Sequence, residues 1–134
     1  MNQAPPEPDD SRWKHPSGLR RLRGAWRVSR QGLSSALHTE SAFRQELLAF
    51  CLLCPVAVLL PVDRLERLIL VLTMGAVLVV ELINSAIEAV VDRVGLEHHL
   101  LSGRAKDLGS AAVMLSLLLS GLAWGVVLWP LIFG

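Results

Sequence analysis

Several features common in soluble nucleotide-binding and metal-binding proteins are missing from this 134-residue sequence. It has no G-x-x-x-x-G-K-[S/T] motif, and the segment GRAK at residues 103–106 has neither that spacing nor a strand before it. Phosphate binding by a Gly-rich loop is therefore excluded. The two cysteines, Cys51 and Cys54, lie in an apolar run without the further ligands of a zinc site, so we interpret them as small packing residues.

Charged residues are also scarce. They make up 19% of the sequence, whereas hydrophobic residues make up 52%. This composition is too apolar for an ordinary soluble domain. The net charge is only +1, and we expect no nucleic-acid partner. The N-terminus lacks the apolar segment of a cleaved signal peptide. We predict that residues 1–18 form a flexible tail, since they contain Pro5, Pro6, Pro8 and Pro16.

The apolar residues are concentrated in three runs. The first, Leu47–Val62, is slightly shorter than the roughly 20 residues needed to cross a bilayer, and Phe43 can lengthen it. The second starts near Leu65, and the third, Ser110–Phe133, carries no charge. We therefore predict an all-α membrane protein with transmembrane helices at about residues 43–62, 65–92 and 107–133.

The basic residues predict the orientation of these helices. Eight Lys and Arg residues precede the first run and three lie between the second and third, whereas two lie between the first and second. Because cytoplasmic loops carry the excess of Lys and Arg, we expect a cytoplasmic N-terminus. The polar end of the second transmembrane helix then also lies at the cytoplasmic side.

The segment at about residues 19–40 has an amphipathic pattern. Its arginines lie outside an apolar stripe that spans about 60° of a helix. We predict a helix on the inner leaflet whose arginines can pair with anionic headgroups, and a plain membrane anchor is the alternative. The stripe consists of Leu19, Leu22, Trp26, Leu33 and Leu37.

A cluster of polar residues ends the second apolar run. Glu81, Asn84, Glu88 and Asp92 fall within roughly 80° of one helix face. Ionisable residues in membrane segments are rare and usually functional, although buried ion pairs that fix helix packing are an alternative. Three carboxylates and an amide, close in sequence to the cations of SGRAKDLGS, suit Mg²⁺ and the phosphates that it carries.

Two segments carry a family resemblance. The sequence ELINSAIEAVVDRVG, followed by EHHLLSGRAKDLGSAAV, resembles the signature of the prokaryotic diacylglycerol kinases, and ESAFRQE at residues 40–46 resembles the segment before their first membrane helix. The resemblance covers about residues 19–134. It implies an N-terminal amphipathic surface helix and three transmembrane helices. It also implies a homotrimer in the bacterial inner membrane that phosphorylates diacylglycerol with ATP and Mg²⁺ to give phosphatidic acid.

The resemblance also implies residue roles. Glu81 resembles the general base, Glu40 and Glu88 resemble the metal ligands, and Asn84 and Asp92 belong to the same polar cluster. The nucleotide contacts that it implies, with His98 added because it adjoins them, are Arg21, Glu40, Glu88, Glu97, His98, His99, Lys106 and Asp107.

The lipid substrate is expected to meet a second set of residues. These are Ser29, Glu46, Arg67, Glu81, Ser110, Trp124 and Trp129. Trp124 and Trp129 also suit an interfacial aromatic belt.

Two alternatives to a diacylglycerol kinase remain open from the sequence. One is an undecaprenol (polyprenol) kinase, since related small membrane kinases act on that lipid. The other is a non-enzymatic oligomeric channel or regulator. A channel would more naturally carry polar residues through the full depth of the membrane, whereas here they gather at one end.

Overall fold

The structure, a computed structural model, describes residues 18–95, 97 and 99–134. In this part of the chain it contains four helices and the short segments that join them. They are α1 (Gly18–Thr39), α2 (Ser41–Leu59), α3 (Arg64–Val94) and α4 (Leu100–Phe133). The predicted all-α fold is confirmed. Residues 1–17 of the predicted flexible tail lie outside the described residues.

Three of the helices are long and apolar enough to cross a membrane, namely α2, α3 and α4. Many of their large apolar side chains are exposed, as expected for surfaces that face lipid or other helices. The predicted number of transmembrane helices is therefore confirmed.

The chain divides into two units, one ending at Ser34 and the other comprising Ser35–Gly134. The described part of the first unit is helical, and its apolar residues Leu22 and Trp26 are largely exposed. This agrees with the amphipathic helix predicted from the sequence.

In the second unit, α3 packs against both α2 and α4. Its buried residues are spaced alternately by four and three positions, which places them on one helix face. The first three are apolar and the last two are polar, so the same buried face changes character along the helix. They are Leu70, Met74, Val77, Glu81 and Asn84.

The turn between α2 and α3 is closed by specific hydrogen bonds. Asp63 caps α3 by accepting from the Glu66 backbone nitrogen at 2.8 Å, and the Glu66 side chain accepts from the Asp63 nitrogen at 3.0 Å. Beside this turn, Ala57, Leu70 and Val127 form a small apolar core. The turn end of the unit is therefore well packed.

Helix α4 begins at Leu100, earlier than the predicted start near residue 107. His99 is its N-cap and accepts a hydrogen bond from the Leu101 nitrogen at 3.2 Å. This cap allows the polar segment from Ser102 to Asp107 to form the first turns of the helix. The basic residues of that segment are thereby fixed on a helix beside the end of α3.

Candidate active site

The polar half of α3 carries two buried side chains that a membrane helix would ordinarily exclude. Glu81 is 4% exposed and Asn84 is 8% exposed. The Asn84 Nδ2 donates a hydrogen bond to Glu88 Oε1 at 3.1 Å, which links successive turns of the predicted face. The Asn84 Oδ1 is buried without a hydrogen-bond partner among the described residues.

An open cavity of about 360 Å³ lies against this face, and we call it the acidic cavity. It brings Glu40 from the start of α2, Glu81 and Glu88 from α3, and Ser110 from α4 to one place. No basic side chain is among the described residues that line it. Its full lining is Glu40, Ser41, Ala42, Glu81, Asn84, Ser85, Glu88, Ser110 and Val113.

Glu40 reaches this cavity because it lies between two helices. Its backbone is extended at the N-cap of α2, and its side chain makes no capping hydrogen bond to that helix. Thr39 Oγ1 donates to Glu40 Oε1 at 3.0 Å. The guanidinium of Arg44 donates to the carbonyls of Leu37 and His38 at 3.3 and 3.2 Å, which fixes the end of α1 beside Glu40.

A second cavity, of about 1110 Å³, lies between the end of α3 and the start of α4, and we call it the loop cavity. Lys106 Nζ pairs with Asp92 Oδ1 at 2.6 Å across it. Both side chains are substantially exposed, so this pair orients Lys106 more than it stabilises the fold. The full lining is Val91, Asp92, Gly95, Glu97, His99, Leu100, Ser102, Gly103, Arg104, Lys106 and Asp107.

The loop cavity gathers four of the predicted nucleotide contacts. It also includes Arg104, the other cation of the SGRAKDLGS segment, and its position in the first turns of α4 explains its place beside Lys106. The predicted contact His98 lies outside the described residues. The four gathered contacts are Glu97, His99, Lys106 and Asp107.

A third cavity, of about 520 Å³, is mostly apolar, and we call it the apolar cavity. Glu46 Oε2 and Trp124 Nε1 are buried without a hydrogen-bond partner in the described part of the chain, and both residues line this cavity. Glu46 also lies within electrostatic range of Glu81. The full lining is Gln45, Glu46, Ala49, Phe50, Leu53, Met74, Val77, Leu117, Ser120, Gly121 and Trp124.

The three cavities follow one another along α3. Asp92 lines the loop cavity, Glu88 and Glu81 line the acidic cavity, and Val77 lines the apolar cavity. Glu88 lies four positions before Asp92, and Val77 lies four positions before Glu81. Each step from one cavity to the next is therefore about one helical turn, or 6 Å, along α3. A cavity with both basic and acidic side chains, an acidic centre and an apolar groove therefore lie in succession.

Two predicted site residues of the second unit lie outside these cavities. Arg67 is fourteen residues before Glu81 on α3, about 21 Å along the helix axis. Trp129 packs its ring against Phe133 near the end of α4, with centroids 4.6 Å apart. Arg21 and Ser29 belong to the first unit. The remaining described site residues line one of the three cavities.

The donor set of the acidic cavity is compatible with Mg²⁺ that arrives with a nucleotide. Within residues 18–95, 97 and 99–134, no group of three or more His, Cys, Asp or Glu side chains is arranged to hold a metal by itself. Mg²⁺ is usually held by one or two carboxylates together with substrate phosphates. Glu40 and Glu88 supply two hard oxygen ligands, and none of the described side chains that line the cavity is basic.

Comparisons with known proteins show which family this chain is similar to. Residues 27–128 match the family model for prokaryotic diacylglycerol kinase. The diacylglycerol kinase of Escherichia coli K12 is 46% identical over 113 residues, covering 84% of this chain and 93% of the relative. The diacylglycerol kinase of Pseudomonas aeruginosa is 46% identical over 118 residues, covering 88% and 96%. That of Haemophilus influenzae is 43% identical over 113 residues, covering 84% and 96%.

Proposed function

Because this chain belongs to the prokaryotic diacylglycerol kinase family, we propose that it transfers the γ-phosphoryl group of ATP to the free hydroxyl of diacylglycerol, giving phosphatidic acid and ADP. It is a kinase, and with three membrane-crossing helices it is a multi-pass protein of the bacterial inner membrane. The alcohol acceptor is the one glycerol hydroxyl that carries no acyl chain.

The observation that carries this proposal is the order of the three cavities along α3. ATP enters the loop cavity, where Arg104 and Lys106 meet its phosphates. The acyl part of the lipid occupies the apolar cavity, and its hydroxyl reaches the acidic cavity between them. The γ-phosphorus and the hydroxyl oxygen thus meet near Glu81.

Phosphoryl transfer needs in-line positioning, charge neutralisation and a residue that takes the hydroxyl proton. The hydroxyl oxygen attacks the γ-phosphorus, the bond from that phosphorus to the bridging oxygen breaks, and ADP leaves. Glu81 accepts the hydroxyl proton. Glu81 lies seven residues before Glu88 on α3. It is therefore about 10 Å further from the cytoplasmic end than Glu88 and closer to the lipid phase.

Glu40 and Glu88 hold the Mg²⁺ that accompanies ATP in this proposal. When bound, the metal neutralises the phosphate charge that would otherwise be repelled by the carboxylates of the acidic cavity. Asn84 orients Glu88 through its 3.1 Å hydrogen bond, so the side chain of Glu88 is held before the nucleotide arrives.

The N-terminus and the segment between α3 and α4 lie on the cytoplasmic side in this proposal, where ATP is available. The excess of Lys and Arg in these two segments supports that orientation. The amphipathic α1 then lies along the inner leaflet, with its arginines towards anionic headgroups.

The working form is a homotrimer in this proposal, and each site contains residues of neighbouring subunits. A single unit leaves the acidic and apolar cavities open, and partner helices are the natural cover for polar groups at membrane depth. Mixing Glu81→Gln and Glu40→Gln variants should restore part of the activity. Mixed oligomers without any restored activity would contradict shared sites.

The direct test is ATP turnover by purified protein in detergent–lipid micelles. Turnover should require both Mg²⁺ and diacylglycerol, and phosphatidic acid should appear in proportion to ADP. Undecaprenol in place of diacylglycerol separates the two lipid kinases considered from the sequence. A protein that turns over ATP only with undecaprenol, or with neither lipid, would overturn the proposed substrate.

A further inference from the structure

Helix α4 contains four glycines, and one of them is unlike the others. At Gly103, Gly121 and Gly125, an added Cβ would meet nothing within 4 Å. At the buried Gly109, it would collide with Asn84 Oδ1 and lie 3.3 Å from Asn84 Cγ. The side chain of Asn84 therefore occupies the space that any other residue at position 109 would need.

This contact accounts for the orientation of the Asn84 amide. Its Nδ2 must face Glu88, because a carboxylate only accepts hydrogen bonds from the amide. Its Oδ1 then faces α4, where it is buried without a hydrogen-bond partner among the described residues. The Cα hydrogen that a side chain would replace at Gly109 points at this oxygen, a weak C–H···O contact.

We propose that Gly109 is a positioning residue of the phosphoryl-transfer site, because its missing side chain lets Asn84 lie against α4 and aim its amide at Glu88. The inference rests on the proposed function, in which Glu88 holds Mg²⁺. Gly109 touches neither nucleotide nor lipid in this account. It acts through Asn84, and Asn84 acts through Glu88.

Gly109→Ala tests the proposal because its structural effect and its positioning effect have opposite signs. Alanine favours a helix over glycine, so a purely local role predicts equal or greater helix stability. A methyl group at this position instead pushes the Asn84 amide away and breaks its bond to Glu88. Loss of support for a metal ligand typically lowers metal affinity by about 10–100-fold.

The measurement is ATP turnover with diacylglycerol across a titration of Mg²⁺ at fixed ATP. We expect Gly109→Ala to need about 10–100-fold more Mg²⁺ for half-maximal rate. The matched control is Gly125→Ala in the same helix, which should keep the wild-type Mg²⁺ dependence. A Gly109→Ala enzyme with the wild-type Mg²⁺ dependence would overturn the proposal while leaving the proposed function intact.

A second readout does not depend on turnover. Mg²⁺ with the non-hydrolysable analogue adenosine 5′-(β,γ-imido)triphosphate should raise the thermal unfolding temperature of the wild type and of Gly125→Ala, because a ligand stabilises the state that binds it. The same additions should raise that of Gly109→Ala much less. An equal rise in all three proteins would overturn the proposal.

The double variant separates positioning from damage to the fold. In an Asn84→Ala background there is no amide to displace, so adding Gly109→Ala should cost no further Mg²⁺ affinity. A further loss of about tenfold would mean that Gly109 acts by another route and would overturn the proposal. If the single Gly109→Ala protein does not fold, the comparison of Asn84→Ala with the double variant still tests the proposal. A wild type without lipid kinase activity would instead remove the proposed function, and this inference with it.

Discussion

At the end of α3 that follows the Leu60–Asp63 turn, the side chains of Asp63, Glu66 and Arg67 are hydrogen-bonded within the chain, whereas at the other end two buried polar atoms have no partner among the described residues. Asp63 and Glu66 cap each other, and Arg67 donates to the carbonyls of Ala57, Leu60 and Val62 at 3.3, 3.2 and 3.4 Å. At the acidic cavity, Asn84 Oδ1 and Ser85 Oγ are buried with no partner among the described residues. Three carboxylates also line that cavity, and no basic side chain does so in the part of the chain that the structure describes.

In the proposed function, this difference separates polar groups that serve the fold from those that serve a ligand. A buried polar group without a partner lowers stability, by about 1–3 kcal/mol in measured cases. The turn end avoids that cost by pairing donors with acceptors inside the unit. The opposite end retains it at Ser85 Oγ and at Asn84 Oδ1, which lies against Gly109. Changes at the two ends should therefore affect different measurements.

The largest effect is expected for Glu81→Gln. If Glu81 takes the hydroxyl proton, its loss should lower turnover by a factor on the order of 10²–10⁴ with little change in KM for MgATP. Turnover and thermal unfolding should be measured on the same preparation. A variant that unfolds more easily but keeps its rate per folded molecule would make Glu81 a packing residue.

The next effect is expected for the two proposed metal ligands. Glu40→Gln and Glu88→Gln should each weaken the apparent Mg²⁺ affinity by a factor on the order of 10² or more. The loss of a direct ligand should lower the affinity at least as much as the loss of a residue that positions the ligand. The matched control is Glu66→Gln at the turn end, which removes the same charge far from the site and should leave the Mg²⁺ dependence unchanged. Wild-type rates for either ligand variant at ordinary Mg²⁺ would exclude that residue as an essential ligand.

Much of this arrangement follows from sequence, because a helix fixes which residues share a face. The spacing of Glu81, Asn84 and Glu88 predicts a common face, and the structure places all three on the lining of one cavity. The number of transmembrane helices follows from the length of the apolar runs. The roles of these residues remain predictions.

Other features depend on contacts between helices and have no local signal. From the sequence, Gly109 in GRAKDLGS is predicted only to be a small residue in an apolar helix. Its contact with Asn84 arises from the packing of α4 on α3. The earlier start of α4, by contrast, follows from a local contact, the His99 cap, and the nucleotide contact that the sequence analysis gave His99 stays a prediction. Arg67 was assigned to the lipid substrate, and its reach to three carbonyls depends on the path of the turn.

A smaller effect, on stability, is expected for Arg67→Ala. Its three donated hydrogen bonds hold carbonyls at the end of α2, and their loss should lower the free energy of unfolding by about 1–3 kcal/mol. Arg64→Ala is the matched control, because it removes the same charge from the same end of α3 at an exposed position. An Arg67→Ala protein with normal stability and a raised KM for diacylglycerol would favour the lipid contact implied by resemblance.

The smallest effect is expected for Asp63→Ala at the start of α3. This change removes the oxygen that accepts from the Glu66 nitrogen and ends the reciprocal cap, which should lower the free energy of unfolding by about 1 kcal/mol. Asp63→Asn keeps a side-chain oxygen in place and should lose much less. Thermal unfolding in detergent micelles measures both, and turnover per folded molecule should match the wild type because the cap lies far from the acidic cavity. A loss of turnover in Asp63→Ala without a loss of stability would contradict the division of α3 into a folding end and a ligand end.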